Sequence, residues 1–408
     1  MGALLVPLLA VTTTAVGSSG AHAAAKDEQP WVVSLGDSYI SGEAGRWAGN
    51  TNDDSSKADA LGPTAYYDDA GHTAETIPRC HRSQSAEIYI GGTVNGLNLA
   101  CSGATTSTFT NTDGNFKPGL DFYGAGAKSR PGVAADAGAK QGQALMLQEF
   151  AATHKVSMVA VSIGGNDFNF GPMVETCIKD FLTSTRWNPS YCSKDSNVTG
   201  NLSAANVDAV TSHIAQALKN VRQAMANAGH ADDSYTILVQ NYPAPIPNSS
   251  GFRYGQSGIG RQVTGGCGFW DKDADWAITT ALPTISGAVS DAVARSGLTN
   301  VKQLDISSAL NGRRLCENTV GLLEERNLTS WKDAGAVDQT EWVDQIRTAS
   351  AIGSPYYIQE SLHPNYWGQL ALRNCVRQAY NNGAVRGGSC KIAGSGLDAD
   401  GEPMMALE

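Results

Sequence analysis

The chain has 408 residues, of which 41% are hydrophobic and 17% charged, and its formal net charge is −10. This balance fits a folded protein and argues against disorder over most of the length. The negative field repels nucleic-acid phosphates and anionic headgroups, and no run of Lys and Arg offers a local exception, so no nucleic-acid partner is expected.

In chain order, residues 1–23 read as a secretory signal, because an apolar stretch leads into the small-residue site Ala21-His22-Ala23. No Lys or Arg precedes Lys26, so the usual basic start of such a segment is missing. Pro7 and the Thr-rich run leave too few continuous apolar residues to span a bilayer, so no stable membrane anchor is expected. Residues 24–392 read as one elaborated domain, where length alone would allow two or three. The stretch 393–408, rich in Gly and acidic residues, reads as a flexible tail.

Five short apolar runs predict strands at 31–35, 97–100, 157–163, 235–240 and 301–306. Helical patterns fall between them at 83–89, 141–154, 205–228 and 276–296, and a last helix begins after His363, with Pro364 suited to its first position. Alternating strands and amphipathic helices imply an α/β fold: a three-layer α/β/α sandwich around a mainly parallel five-stranded sheet. The strand-to-helix connections are long, notably 43–80, 104–136, 167–204 and 242–275, and the opposite ones short. Long loops therefore crowd the carboxyl edge of the sheet, where open α/β sheets bind ligands.

Eight cysteines in an apparently exported chain read as a disulfide set. Their order favours neighbour pairing: Cys80 with Cys101, Cys177 with Cys192, Cys267 with Cys316, and Cys375 with Cys390. No CxxC pair and no HExxH occurs, so neither a metal nor another cofactor is expected.

The candidate chemistry starts at "VVSLGDSYISGE", where Ser38 follows the first apolar run. A serine hydroxyl is a weak nucleophile without a base in reach and donors for the developing oxyanion. Taken alone, Gly-Asp-Ser after a strand reads as a turn, and there is no GxSxG elbow. Three further segments supply the missing parts: Gly103 in "LACSGATT", Asn166 in "SIGGNDFNF" and His363 in "ESLHPNYWGQ". Each follows a strand or begins a helix on one edge of the sheet, as an active site requires.

With these four blocks in order, residues 31–382 resemble the SGNH (GDSL) hydrolases, most closely the larger secreted esterases and lipases of actinobacteria. The resemblance implies Ser38 as nucleophile, His363 as general base and then acid, and an oxyanion hole of Ser38 N–H, Gly103 N–H and the Asn166 side chain. The family usually carries Asp three residues before the histidine, where this chain has Glu360. Either Glu360 orients the imidazole or a backbone carbonyl does, and both readings stay open. Asp37 and Asp167 are expected in turn hydrogen bonds. His81 is read as structural near its disulfide, with substrate contact as the alternative. Tyr66, Tyr67, Trp47 and Trp367 are read as acyl-pocket lining or packing. The resemblance implies a secreted, monomeric hydrolase of carboxylic esters, lipids and phospholipids foremost. Polysaccharide or aryl-ester deacylation and an inactive binding module are the competing readings.

Overall fold

The computed structural model describes residues 29–124, 140–348 and 355–408, so the expected signal segment 1–23 lies outside the described residues. The strands are β1 (Trp31–Gly36), β2 (Asn95–Asn98), β3 (Phe109–Thr110), β4 (Phe116–Lys117), β5 (Val156–Ser162), β6 (Thr236–Gln240), β7 (Val301–Asp305), β8 (Gly388–Leu397) and β9 (Pro403–Leu407). The main sheet runs β2-β1-β5-β6-β7-β8-β9. It is parallel from β2 to β8, and β9 joins antiparallel. Val32 to Leu35, Met158 to Val161 and Ile237 to Val239 are all buried, the unbroken apolar run of a sheet covered on both faces. The helices Gln143–Ala151, Ala204–Asn227 and Leu282–Ser296 pack side by side in that order, while Tyr366–Tyr380 lies against β9, giving an α/β/α sandwich.

Each of the five expected strands is present within about two residues of its expected limits. The sheet has seven strands where five were expected, because β8 and β9 extend its far edge. The stretch 393–408, expected as a flexible tail, is most of that hairpin. Met405 and Leu407 are buried in it, and the disulfide from Cys375 to Cys390 ties β8 to the last helix. The helix expected at 83–89 is a run of turns instead. Ser85 N donates to Ser83 Oγ (3.1 Å) and Ser85 Oγ to the Gly45 carbonyl (2.8 Å), side-chain bonds that compete with helical ones. The last helix starts at Tyr366, not at Pro364: Asn365 caps it, accepting from the N–H groups of Trp367 and Gly368.

Gly36 shows why β1 ends as it does. A Cβ there would sit 1.9 Å from the Ser162 carbonyl oxygen of β5, and φ is +139°. Only glycine lets β1 and β5 stay paired up to the turn that carries Ser38. The long connections after β1, β2, β5, β6 and β7 all leave from this carboxyl edge, and the loop after β7 carries His363.

The cysteines pair as neighbours: Cys80–Cys101, Cys177–Cys192, Cys267–Cys316 and Cys375–Cys390. Chain-entropy arguments scale with the loop closed, and Cys267–Cys316 closes the longest, with a separation of 49 against 15 for Cys177–Cys192. Replacing Cys267 and Cys316 with Ser is expected to lower unfolding free energy by about 4 kcal/mol, and replacing Cys177 and Cys192 by about 3 kcal/mol. Urea titrations of the two double variants measure this, and the reverse order would contradict it.

Candidate active site

Ser38 opens the four-residue helix Ser38–Ser41, and Asp37 caps it by accepting from Tyr39 N–H. Its hydroxyl lies 2.7 Å from Nε2 of His363, across 325 positions of sequence. On the other side of the ring, Nδ1 lies 3.0 Å from the Ser361 carbonyl oxygen. That carbonyl is aimed by a turn in which Leu362 adopts φ +65°, a left-handed conformation costly for a branched side chain. The turn is held by backbone bonds from Leu362 N–H to the Asp344 carbonyl and from Asp344 N–H to the His363 carbonyl. The Tyr39 hydroxyl donates to the Leu362 carbonyl (3.1 Å), tying the histidine turn to the serine turn.

Glu360 does not reach the imidazole nitrogens. Its carboxylate accepts from the Tyr66 hydroxyl (2.5 Å) and from Tyr357 N–H (2.8 Å). It is fully buried, and burial, with the nearby Glu43 charge, raises its pKa to about 7. Of the two readings left open, with Glu360 as the tentative third member, the geometry fits the backbone carbonyl, because the short helical turn Ile358–Glu360 directs the Glu360 side chain back toward its own N-terminus.

Gly103 has φ +78°, and its N–H, like that of Ser38, has no partner among the described residues. A Cβ at Gly103 would meet the Lys117 stem only at an ordinary contact distance of 3.4 Å, so the positive φ is what favours glycine there. Asn166 starts the short helical turn after β5 and donates one amide hydrogen to the Ala104 carbonyl (2.9 Å), leaving the second free. Ser38, Gly103, Asn166 and His363 all line one cavity of about 840 Å³. Away from them it runs between the helix Phe170–Thr183 and the segment 277–285, where Ile178, Leu182, Ile246, Ile278, Leu282 and Ile285 face it.

Several residues that organise the site carry no sequence signal of their own. The Tyr242 hydroxyl donates to Asp37 (2.5 Å) and accepts from Gly165 N–H (2.9 Å), so it joins the serine turn to the turn that holds Asn166. Gln143 clamps Gly36 through both backbone groups, at 2.7 and 2.9 Å. The only hint was position, since Tyr242 follows β6 at the carboxyl edge. Asp37 does serve its turn, as expected, whereas Asp167 reaches across to the N–H and hydroxyl of Thr106. The aromatics proposed as acyl lining pack elsewhere: Trp47 lies against Tyr356, Tyr66 stacks on His81, and Trp367 meets Trp331 and Tyr366. Tyr67 does not line the cavity either.

Burial lowers the pKa of His363 below the usual imidazole value, favouring the neutral base, against a raising influence from Glu43. Burial raises Asp37 to about 7, although the Tyr242 and Tyr39 bonds oppose the rise.

No protein-family model and no curated protein matches the chain. Among solved structures it is similar to phospholipase A1 from Streptomyces albidoflavus NA297, at 18% identity and a TM-score of 0.42, over 86% of this chain and 99% of that one. An extracellular lipase from Streptomyces rimosus shows 17% identity and a TM-score of 0.41 over the same shares. Est24, a carbohydrate acetylesterase from Sinorhizobium meliloti, shows 12% and 0.28 over 68% of this chain and 86% of that one. Likenesses this distant decide nothing about chemistry, which rests on the geometry.

The Asp37 carboxyl allows a direct check. A raised folded-state pKa gives stability that is fully present below the unfolded value of 3.8 and is lost as pH rises through about 7. Asp37→Asn presents the pattern of the protonated acid and cannot ionise. The variant is expected to gain stability relative to wild type at pH 8, by at most about 4 kcal/mol, and to lose that advantage at pH 4. Thermal unfolding at the two pH values measures it, and an equal difference at both would contradict it.

Proposed function

We propose that the chain is a secreted serine hydrolase of the SGNH type that cleaves carboxylic esters of lipids, phospholipids included. The observation that carries this reading is the 2.7 Å contact of Ser38 Oγ with His363 Nε2 in the wall of a mostly apolar cavity. In the proposed reaction Ser38 Oγ bonds to the ester carbonyl carbon and its proton passes to His363 Nε2. The oxyanion is met by the free N–H groups of Ser38 and Gly103 and by the free amide hydrogen of Asn166. His363 then gives its proton to the departing alkoxide, and water, deprotonated by the same nitrogen, releases the acid. The Ser361 carbonyl holds the ring so that Nε2 faces the serine, which makes the centre a dyad.

The cavity wall supports a lipid acyl group over a sugar acetyl group, because aliphatic side chains line the length of it and gain by excluding water from a chain. The four disulfides support an oxidising compartment. No helix among the described residues is long and apolar enough to cross a membrane.

Ser38→Ala is expected to leave the fold intact and to remove hydrolysis by roughly a million-fold. The assay is a panel of short and long acyl nitrophenyl esters, phosphatidylcholine and acetylated xylan. Retention of a tenth of wild-type turnover would rule out Ser38, and turnover of acetylated xylan alone would move the substrate to polysaccharides.

Glu360→Gln is expected to keep turnover within about three-fold at every pH, since the Ser361 carbonyl survives the change, where loss of a triad carboxylate costs about ten-thousand-fold. In both proteins turnover should fall with decreasing pH through a value below the usual imidazole pKa of 6.5, because burial disfavours the imidazolium. Turnover measured from pH 4 to 9 tests both points.

A further inference from the structure

Behind the Ser38–His363 pair lies a buried cluster that the proposed reaction does not use. Glu43 and His81 are fully buried and meet at 2.7 Å through Oε1 and Nδ1. The other carboxylate oxygen of Glu43 accepts from Gln359 Nε2 at 2.9 Å. The same amide nitrogen lies 2.7 Å from Ser102 Oγ and 3.1 Å from the Arg79 carbonyl. Glu43 N–H donates to the Ser38 carbonyl (3.2 Å), and Ser41 Oγ to the His81 carbonyl (3.3 Å). One cluster therefore bonds to the serine turn, to the residue before Gly103 and to the short helical turn that leads into His363.

We propose that Glu43, held in place by buried His81 and by Gln359, positions His363 through the turn that carries Gln359 and stabilises its imidazolium from a distance, a role that a triad gives to a carboxylate on Nδ1. This rests on the reading of Ser38 and His363 as the reacting pair. A carbonyl at Nδ1 orients the ring but carries no full charge, so the imidazolium formed during proton transfer lacks a contacting anion. Glu43 supplies one within the same dry interior, where a charge acts over a longer distance than in water. Burial alone would raise the Glu43 pKa, yet the charge and hydrogen bond of His81 bring it down to about 2, so the anion persists at working pH. His81 is correspondingly raised in spite of its burial. Among influences on His363, burial comes first and lowers its pKa, Glu43 is the leading one that raises it, and the His81 charge, the last in order, opposes Glu43.

The other charged groups facing the cluster are few. Glu75 lies 3.5 Å from His81 Nε2 without hydrogen-bond geometry, and Lys117 Nζ donates to the Arg79 carbonyl (2.7 Å). Glu360 is bound to Tyr66, which stacks on the His81 ring with centroids 4.4 Å apart. Burial raises the Asp344 carboxyl well above the ordinary carboxylate range, and Arg79 lies over the Tyr357 ring. Asp37 caps the serine turn and Glu360 lies in the turn Ile358–Glu360, but burial raises both to about 7, whereas Glu43 is lowered and bonds both to the Ser38 carbonyl and to Gln359.

The test compares wild type, Glu43→Gln and Gln359→Leu by NMR titration of the His363 ring and by kcat and KM on a nitrophenyl ester. Glu43→Gln is expected to lower the His363 pKa by about half a pH unit or more, since an anion favouring the imidazolium is removed. Its kcat should fall about ten- to a hundred-fold with KM nearly unchanged, well short of the ~10⁴-fold loss for a contacting carboxylate. Gln359→Leu, a change at a partly exposed side chain, should lower kcat about ten-fold with the fold intact. Identical His363 titrations in wild type and Glu43→Gln would overturn the proposal. Should Glu43→Gln fail to fold, a Gln359→Leu kcat within two-fold of wild type would overturn it instead. A wild type without esterase activity would defeat the function proposed above, and the titrations would still decide the role of Glu43.

Discussion

The contact between Ser38 and His363 joins residues 325 positions apart, and two unusual backbone conformations, at Gly36 and Leu362, serve it. Its two ends leave different loops at one edge of the sheet. Gly36 lets β1 and β5 approach so closely that Ser38 emerges at the right height, and Leu362 accepts a left-handed conformation so that the Ser361 carbonyl faces Nδ1. Neither conformation is favourable by itself. Each is held because neighbouring backbone bonds and buried side chains leave no alternative, as expected where strain is retained at a working site.

Around that contact the structure buries polar groups in pairs that bridge loops. Tyr242 links Asp37 to Gly165, Gln143 clamps Gly36, and Gln359 links Glu43 to Ser102. A buried polar atom without a partner costs more than a net hydrogen bond returns, so each bridge ties its loops strongly to one arrangement. The loops after five different strands are thereby made rigid without regular secondary structure. The apolar cavity beside them is built from other elements, the helix Phe170–Thr183 and the segment 277–285, so substrate lining and proposed reaction centre are separate parts of the fold.

The regular framework was legible in the sequence because it depends on local pattern. Val32 to Leu35, interrupted only by Ser34, and Met158 to Val161 are short, mostly apolar runs rich in Val and soon followed by Gly, a pattern that reads as a strand covered on both faces. The hairpin β8–β9 was not legible, since Gly394, Gly396 and Gly401 and the exposed alternate residues read as a loose tail until the edge of β7 is there to pair with. The turns at 83–89 mislead in the opposite way: the residues have helical spacing, and serine side chains compete for the backbone.

Four short blocks, each with a residue type that its chemistry demands, determined the candidate site by themselves: Ser38, Gly103, Asn166 and His363. The pairing of eight cysteines in neighbour order was likewise readable from the sequence. Only the tertiary structure decided what faces the second nitrogen of His363. Spacing alone cannot separate Glu360 from a carbonyl, because the direction of one side chain depends on Tyr66, 294 positions away, whose hydroxyl draws the carboxylate off the ring. The same reason governs Glu43, Tyr242 and Gln359, which are ordinary residues in sequence and gain a role from the burial and long-range partners that folding supplies.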